Sequence, residues 1–371
     1  MQHYIALSVF KELLNSPKLF LPIDRTVTYS TRENDYYSSL RTHFEFYLER
    51  VISFSADFSS PYTARLVIQL CHQIETLLLQ SVDSYLNGMP ANAYHFFSDA
   101  MKLLCDHPFY SPTMITNGMS KGTATFPIPD LFRVSSGSNQ DRGCERKRVF
   151  HVPYSMREKV STNRYSIPGF PCLYLGTTLN LCCKEIGYET SGHFERVYFA
   201  SRYAAQPQNV HFRVVDLGNK PQDFLTLPLK EYDDRYLQMV ARQSDARINY
   251  LLWYPVISCC SFVRKKKADT FSPEYIIPQL LLQWVRTSSR SKARWEKGLI
   301  GIRYFSCSSE EASKLGYNYV FPTSGDSISA DEPYCPLLSS AFYLTSPVCI
   351  NDCTSIRACE ELMRTMSVNK I

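Results

Sequence analysis

The feature that most constrains this chain is a change in its hydrophobic pattern near residue 125. Before that point, apolar residues recur every three or four positions in three segments: 40–54, 64–86 and a third that follows Pro90. This period places apolar side chains on one face of an α-helix. Prolines and glycines then interrupt the pattern between Pro108 and Pro129. Residues 1–125 are therefore predicted to form a helical regulatory or interaction domain.

The remainder of the chain, residues 126–371, mixes short β-rich runs with short helical segments. The predicted strands are 172–175, 197–200, 210–215, 299–305 and 317–321, and the predicted helices are 178–186, 231–242, 278–286 and 310–315. Their spacing is too irregular for the alternating units of a doubly wound sheet. The second domain is therefore predicted to be α+β, with a mixed or mainly antiparallel sheet.

Composition narrows the class of protein. A chain of 371 residues with 44% hydrophobic residues can bury a core, which excludes wholesale disorder, collagen and a coiled-coil rod. The net charge of +5 permits an anionic ligand without requiring a specific nucleic acid. No apolar run approaches about 18 residues, so no membrane partner is expected. The sequence also lacks the glycine-rich phosphate loops GxGxxG and GxxxxGK[ST].

The cysteines indicate reduced thiols. Their number is 13, which is odd, and two pairs are adjacent in the chain. A secreted disulfide framework favours an even, spaced set, and zinc requires paired CxxC motifs that are absent. We therefore expect a cytoplasmic protein with no metal and no bound cofactor.

The segment from Arg164 to Glu185 has the residues of a binding cleft. A proline–glycine turn at 168–169 precedes the predicted strand 172–175, and a threonine can then cap a helix. This arrangement would let Arg164, Tyr174 and Glu185 face one cleft. The alternative, from the spacing alone, is a surface arginine, a core tyrosine and a solvated glutamate.

This segment resembles the core signature of the RES domain family, which is named for its arginine, glutamate and serine. The family includes bacterial toxins that break down NAD+. Four elements match in the family's order and cover roughly residues 126–325: LFRV at 131–134, RYSIPG with LY at 164–174, CCKE at 182–185 and GIRYFS at 301–306. Cys182 replaces the family's usual small residue, and the long interval before Ser306 implies insertions around 218–270.

The resemblance implies an NAD+-binding catalytic domain at 126–371, with a fold resembling that of ADP-ribosyltransferases. It implies catalytic roles for Arg164, Tyr174, Glu185 and Ser306. It also implies that Arg133, Arg164, Tyr174 and Ser306 bind NAD+. NAD+ would be the substrate, with inorganic phosphate as a co-substrate in the case of phosphorolysis.

These residue types suit that chemistry. Guanidinium groups such as those of Arg133 and Arg164 bind a pyrophosphate without a glycine-rich loop. Loss of nicotinamide makes the ribose cationic, and Glu185 would stabilise it by about 4 kcal/mol at 4 Å, which is roughly a thousandfold in rate. Tyr174 would orient the nicotinamide end. Ser306 would donate to a phosphate or ribose; its alternative role is a strand-end hydroxyl bonded to backbone.

Other signals are weaker. The helical domain resembles HEPN-like domains, and Arg65 with His72 loosely resembles the R-x(4–6)-H motif of HEPN ribonucleases, although a regulatory or dimerising bundle fits its amphipathic stripes better. His151 is a candidate base or a structural histidine. Tyr165 and Tyr304 are expected in the core.

Three functions stay open at this point. The first is an NAD+ glycohydrolase or NAD+ phosphorylase that acts as a toxin or phage-defence effector. An antitoxin or inhibitor protein and a second copy of the chain would be its partners. The second is an ADP-ribosyltransferase that modifies a macromolecule. The third is a non-enzymatic interaction protein with a degenerate RES-like domain.

Overall fold

The computed structural model divides the chain into two compact units. Unit 1 is Met1–Thr116 with Asn219–Trp284, and unit 2 is Asn117–Gly218 with Val285–Ile371. The residues that the structure describes are 4–28, 35–109, 115–118, 130–141, 143–188, 196–206, 212–226, 244–265, 269–288, 299–324 and 333–371. The predicted boundary near residue 125 and the predicted helix 231–242 lie outside them. The contacts group 219–284 with unit 1, whereas the sequence prediction placed that segment in the second domain.

Unit 1 is helical, as the sequence predicts. Its helices are α1 Leu7–Leu14, α2 Arg25–Thr28, α3 Tyr36–Ser53, α4 Pro61–Leu86, α5 Pro90–Cys105, α7 Pro221–Leu225, α8 Ser244–Cys259 and most of α9 Ile276–Ser288. The Asp35 side chain caps α3 by accepting from Ser38 N–H, and the Ser60 hydroxyl caps α4 by accepting from Thr63 N–H. These caps satisfy backbone donors that have no partner within the helix.

The α4 helix packs against α3, α5 and α8. The side chains of α8 from Ala246 to Cys259 are buried almost without exception, so this helix has no polar face and lies inside unit 1. The Tyr47 hydroxyl donates to the Leu251 carbonyl at 2.7 Å, and His43 Nε2 lies 3.0 Å from the Tyr254 hydroxyl. This burial explains why 219–284 groups with the helices. The apolar residues of 219–284 complete the hydrophobic core of the helices of unit 1.

Unit 2 is built around a mixed sheet. The described strands are β1 Ile115–Gly118, β2 Leu131–Gly137, β3 Cys172–Gly176, β4 Val197–Ala205, β5 Phe212–Leu217, β6 Leu299–Phe305, β7 Tyr317–Pro322, β8 Phe342–Leu344 and β9 Val348–Cys349. Their order is β1-β5-β6-β7-β3-β2-β4-β8, with β9 also paired to β4. The β5–β6 pair is parallel, and the other pairs with described register are antiparallel. The α+β prediction is confirmed.

Different helices pack on the two faces of this sheet. Successive residues of a strand point to opposite faces, so Leu131 and Phe132 belong to two different apolar clusters. The cluster around Phe132 includes residues of α6 Leu179–Ile186 and α11 Ile356–Thr365. Among the described residues, the helix α10 Pro336–Ala341 packs in the other cluster, with Leu131. None of the described helices is long and apolar enough to cross a bilayer.

Candidate active site

The turn before β3 forms as the sequence predicts. The Phe170 N–H donates to the Ile167 carbonyl at 2.9 Å, with Pro168 and Gly169 in the two central positions. Gly169 has φ +69°, a conformation that the third position of a type II turn requires and that glycine adopts without strain. The turn reverses the chain between Arg164 and the strand that carries Tyr174.

The helix that carries Glu185 is fixed at its N-terminus by two side chains. The Thr178 hydroxyl accepts from Leu181 N–H at 3.2 Å and donates to the Leu315 carbonyl at 2.8 Å. A carboxylate oxygen of Glu360 on α11 accepts from Leu179 N–H at 3.2 Å. Both acceptors satisfy first-turn amides, and a negative charge is favourable at this end of a helix.

The helix α6 approaches the sheet closely at Gly176. A Cβ on Gly176 would lie 2.7 Å from Cys182 Sγ, so only glycine fits there. The Cys182 thiol is 3.2 Å from the Phe132 carbonyl. Burial raises the pKa of the Cys182 thiol to about 12, which makes it a packing residue rather than a nucleophile.

Three neighbouring strands bring a row of residues beneath this helix. Gly176 on β3 pairs with Asn318 on β7, which in turn pairs with Tyr304 on β6. Residues directly opposite each other share a face of the sheet, and Tyr174 lies two positions from Gly176 on the same face. Glu185 joins this row, because its Oε1 accepts from Asn318 Nδ2 at 3.0 Å.

Two tyrosines connect Glu185 to the arginine before the turn. Burial raises the pKa of the Tyr304 phenol well above its ordinary value, the charge of Glu185 raises it further, and the charge of Arg164 lowers it. Tyr304 is therefore close to both charged groups. Its ring centroid lies 4.4 Å from that of Tyr165, whose carbonyl accepts from the Tyr174 hydroxyl at 2.5 Å. The predicted Arg164, Tyr174 and Glu185 thus share one neighbourhood.

Arg133 reaches the same neighbourhood from β2. The register of β2 and β3 pairs Phe132 with Gly176, and beyond this pair Arg133 Nη1 donates to the Tyr174 carbonyl at 3.3 Å. Arg133 Nε is buried and has no acceptor within the described part of the chain. The guanidinium therefore keeps a donor available for a ligand or water.

Ser306 is turned toward its own loop. Its side chain is 1% exposed, and its hydroxyl lies 2.8 Å from the Ser308 hydroxyl and accepts from Ser308 N–H at 3.2 Å. These are its hydrogen bonds among the described residues. The structure therefore gives Ser306 a local turn contact and does not connect it directly to Arg164, Tyr174 or Glu185.

His151 is structural in this fold. Its Nδ1 donates to the Val152 carbonyl at 2.8 Å, and its Nε2 accepts from Cys335 N–H at 2.9 Å. Burial lowers its pKa to about 4, so the ring is neutral near pH 7. Both ring nitrogens are bonded to backbone, which leaves neither for use as a base.

Sequence reasoning missed Asn318 and undervalued Tyr304. Asn318 donates a hydrogen bond to Glu185, yet the two are 133 residues apart in the chain. One signal was present: asparagine is rare in strands, and this one interrupts the apolar run Tyr317–Pro322. A polar residue in a buried strand indicates a specific hydrogen bond.

A relative of known sequence supports part of this interpretation. A Bacillus subtilis (strain 168) protein named "Putative toxin YopC" is 29% identical to this chain over 276 residues. The match spans 73% of this chain and 57% of the relative, so the chain corresponds to little more than half of that protein. No protein-family model matches the chain. No solved structure matches it either, so the likeness to the ADP-ribosyltransferase fold stays a prediction.

The ribonuclease motif proposed for unit 1 lies in a groove. Arg65 and His72 both line a cavity of about 740 Å³ that is otherwise formed mainly by apolar residues such as Leu48, Ile52 and Ile68. Two basic residues in an apolar groove do not form a nuclease site by themselves, and the regulatory or dimerising role preferred for this domain stays a prediction. Across both units, the described residues contain no group of three or more His, Cys, Asp or Glu arranged to hold a metal ion.

Proposed function

We propose that this chain cleaves the nicotinamide–ribose bond of NAD+ and acts as a toxin. The observation that carries the proposal is the grouping of Arg133, Arg164, Tyr174 and Glu185 around one stretch of sheet. The four-element resemblance to the RES domain points to the same residues. The name of the Bacillus subtilis relative supports a toxin role independently of them.

The proposed roles follow from the position of each group. Glu185 is exposed, so its carboxylate is accessible to a substrate, while Asn318 fixes one of its oxygens. It would lie beside the ribose and stabilise the positive charge that develops as nicotinamide leaves. The leaving group is already cationic in NAD+, so the reaction needs no strong general acid.

The arginines would hold the diphosphate. Among the described residues, Arg133 Nε has no acceptor, and phosphate oxygens are strong acceptors for guanidinium groups. Arg164 lies near Tyr304 and Arg133 lies near Tyr174, so both guanidiniums would be available to the diphosphate. Tyr174 would limit the position of the nicotinamide ring. Ser306 would contact NAD+ from the loop that follows β6.

Nicotinamide release from NAD+ by the purified chain tests the proposal directly. We expect Glu185→Gln to lower the rate roughly a thousandfold, because it removes a charge worth about 4 kcal/mol to the transition state. Glu158→Gln is the matched control, since Glu158 is an exposed glutamate of unit 2. Equal rates in both variants, with thermal unfolding unchanged, would remove Glu185 from the reaction.

The mass of the products identifies the molecule that accepts the ADP-ribosyl group. Water gives ADP-ribose, phosphate gives ADP-ribose 1″-phosphate, and transfer gives a macromolecule labelled from adenylate-tagged NAD+. The toxin role has its own test: induced expression of the wild type should deplete cellular NAD+ and stop growth. Glu185→Gln, expressed to the same level, should do neither.

A further inference from the structure

A small polar cavity in unit 1 has the properties of an anion site. Its volume is about 130 Å³, and the residues around it come from three segments of the chain. Arg25 comes from α2, Arg264 and Lys265 follow α8, and the stretch from Asp269 to Glu274 precedes α9. All of these residues are in unit 1, whereas the proposed active site is in unit 2.

Backbone pairing brings the two arginines together. Ile23 pairs with Phe262 in a parallel bridge, in which Ile23 N–H donates to the Ser261 carbonyl at 3.0 Å and Val263 N–H donates to the Ile23 carbonyl at 2.8 Å. Arg25 and Arg264 each follow this bridge by two residues. Their placement beside one cavity is therefore fixed by the backbone rather than by flexible side chains.

The existing partners do not use all of the guanidinium donors. Arg25 is 6% exposed and its Nη2 donates to Glu274 Oε1 at 2.5 Å, while Arg264 Nη2 donates to the Asp269 carbonyl. The Nε atoms of both arginines are buried and have no acceptor in the described part of the chain. Buried donors in native proteins almost always have a protein, water or ion partner, so two orphans beside one cavity indicate a missing acceptor.

The charges of the lining favour a negative occupant. Arg25, Arg264 and Lys265 are cationic, and the carboxylates are those of Glu274 and Asp269. Glu274 is already engaged by Arg25 and by Lys265 N–H at 3.4 Å, and Asp269 is exposed to solvent. One positive charge is therefore left over next to two unsatisfied donors, and an anion is the acceptor that meets both needs.

Size limits the occupant to a small group. A cavity of about 130 Å³ exceeds the ~10–15 Å³ needed for one water and falls below the ~300–1,000 Å³ typical of drug-sized ligands. We propose that this cavity binds a small tetrahedral oxyanion, either inorganic phosphate or the phosphate group of a larger molecule. Its oxygens accept from Arg25 Nε and Arg264 Nε.

Calorimetric titration of the full chain with inorganic phosphate, in chloride buffer at constant ionic strength, tests the site. Loss of one charge-assisted donor should weaken phosphate binding about tenfold or more in Arg264→Gln. Arg264→Lys keeps the charge but removes the Nε donor and should also bind more weakly. Arg41→Gln, which changes an exposed arginine on α3, should bind like the wild type.

Further variants separate this cavity from the proposed active site. Phosphate binding at the cavity should persist in Arg133→Gln, whose substitution lies in unit 2. Wild-type affinity in a folded Arg264→Gln, loss of binding in Arg133→Gln, or no phosphate binding to the wild type would each overturn the proposal. If AMP competes with inorganic phosphate, the occupant is the phosphate group of a larger molecule. If AMP does not compete, the occupant is the free anion.

Discussion

Glu185 on α6 and Asn318 on β7 are joined by one hydrogen bond of 3.0 Å, in which the buried amide donates to the exposed carboxylate. An exposed glutamate ordinarily samples several rotamers, and fixing it costs conformational entropy. Asn318 is itself held in the sheet between Gly176 and Tyr304. The carboxylate is therefore oriented in the absence of any ligand.

Asn318→Ala should lower the catalytic rate while leaving NAD+ affinity nearly unchanged. A hydrogen bond to a charged group contributes about 1.5–3 kcal/mol, so kcat should fall about ten- to a hundredfold. Steady-state kinetics together with a separate NAD+ binding measurement checks this split. A variant in which affinity falls as much as kcat would place Asn318 in substrate binding instead of carboxylate positioning.

Ser306 and Ser308 form a matched pair for testing the serine of the proposed site. Both variants lose the 2.8 Å contact between the two hydroxyls, which costs about 1 kcal/mol of stability. Ser306→Ala should lose more stability than Ser308→Ala, because the Ser306 hydroxyl also accepts from Ser308 N–H. If Ser306 also contacts NAD+, only Ser306→Ala should lose nicotinamide release, by about tenfold or more. Equal activity in the two variants would exclude Ser306 from the site.

Glu75 makes unit 1 sensitive to pH. Its side chain lies in the helical core and is 4% exposed, one oxygen has no donor within the described residues, and burial raises its pKa well above the ordinary value. The neutral form is therefore favoured in the folded state. This contribution to stability is complete below the unfolded pKa of about 4.3 and is lost as pH rises toward the folded pKa.

Replacing Glu75 removes that dependence. Relative to Glu75→Gln, the wild type should lose free energy of unfolding as pH rises above about 4.5, by at most about 1.4 kcal/mol per pH unit. Urea unfolding between pH 4.5 and 8 measures the difference. Glu49→Gln, which changes an exposed glutamate on α3, should show no such trend. Parallel curves for the wild type and Glu75→Gln would contradict the prediction.

The cysteines should divide into two kinetic classes. All 13 are free thiols; those that are only half-buried are Cys144, Cys349 and Cys353. The thiolate is the reactive species, and burial raises the pKa of Cys172, for example, to about 12. Titration of the native protein with a thiol reagent should therefore give up to three prompt reactions, and all 13 should react after denaturation. A larger prompt number would show that the core opens readily.

Local features of the fold could be predicted from the sequence. The helices of unit 1, the turn at Pro168-Gly169 and the cap at Thr178 all depend on residues within about four positions of one another. The grouping of 219–284 could not be predicted, because the apolar run in α8 shows that the helix is buried without showing what buries it. Asn318 was missed for a related reason, since its partner is distant in sequence.

The hydrogen bond from Leu179 N–H to Glu360 joins residues that are 181 positions apart. During synthesis, a ribosome will have produced Arg133, Arg164, Tyr174 and Glu185 long before the acceptor that secures the start of their helix. A nascent chain thus carries the proposed catalytic groups without the Glu360 carboxylate, which accepts the hydrogen bond at the start of their helix. Under the proposed cleavage of NAD+, this delay would keep unfinished copies inactive.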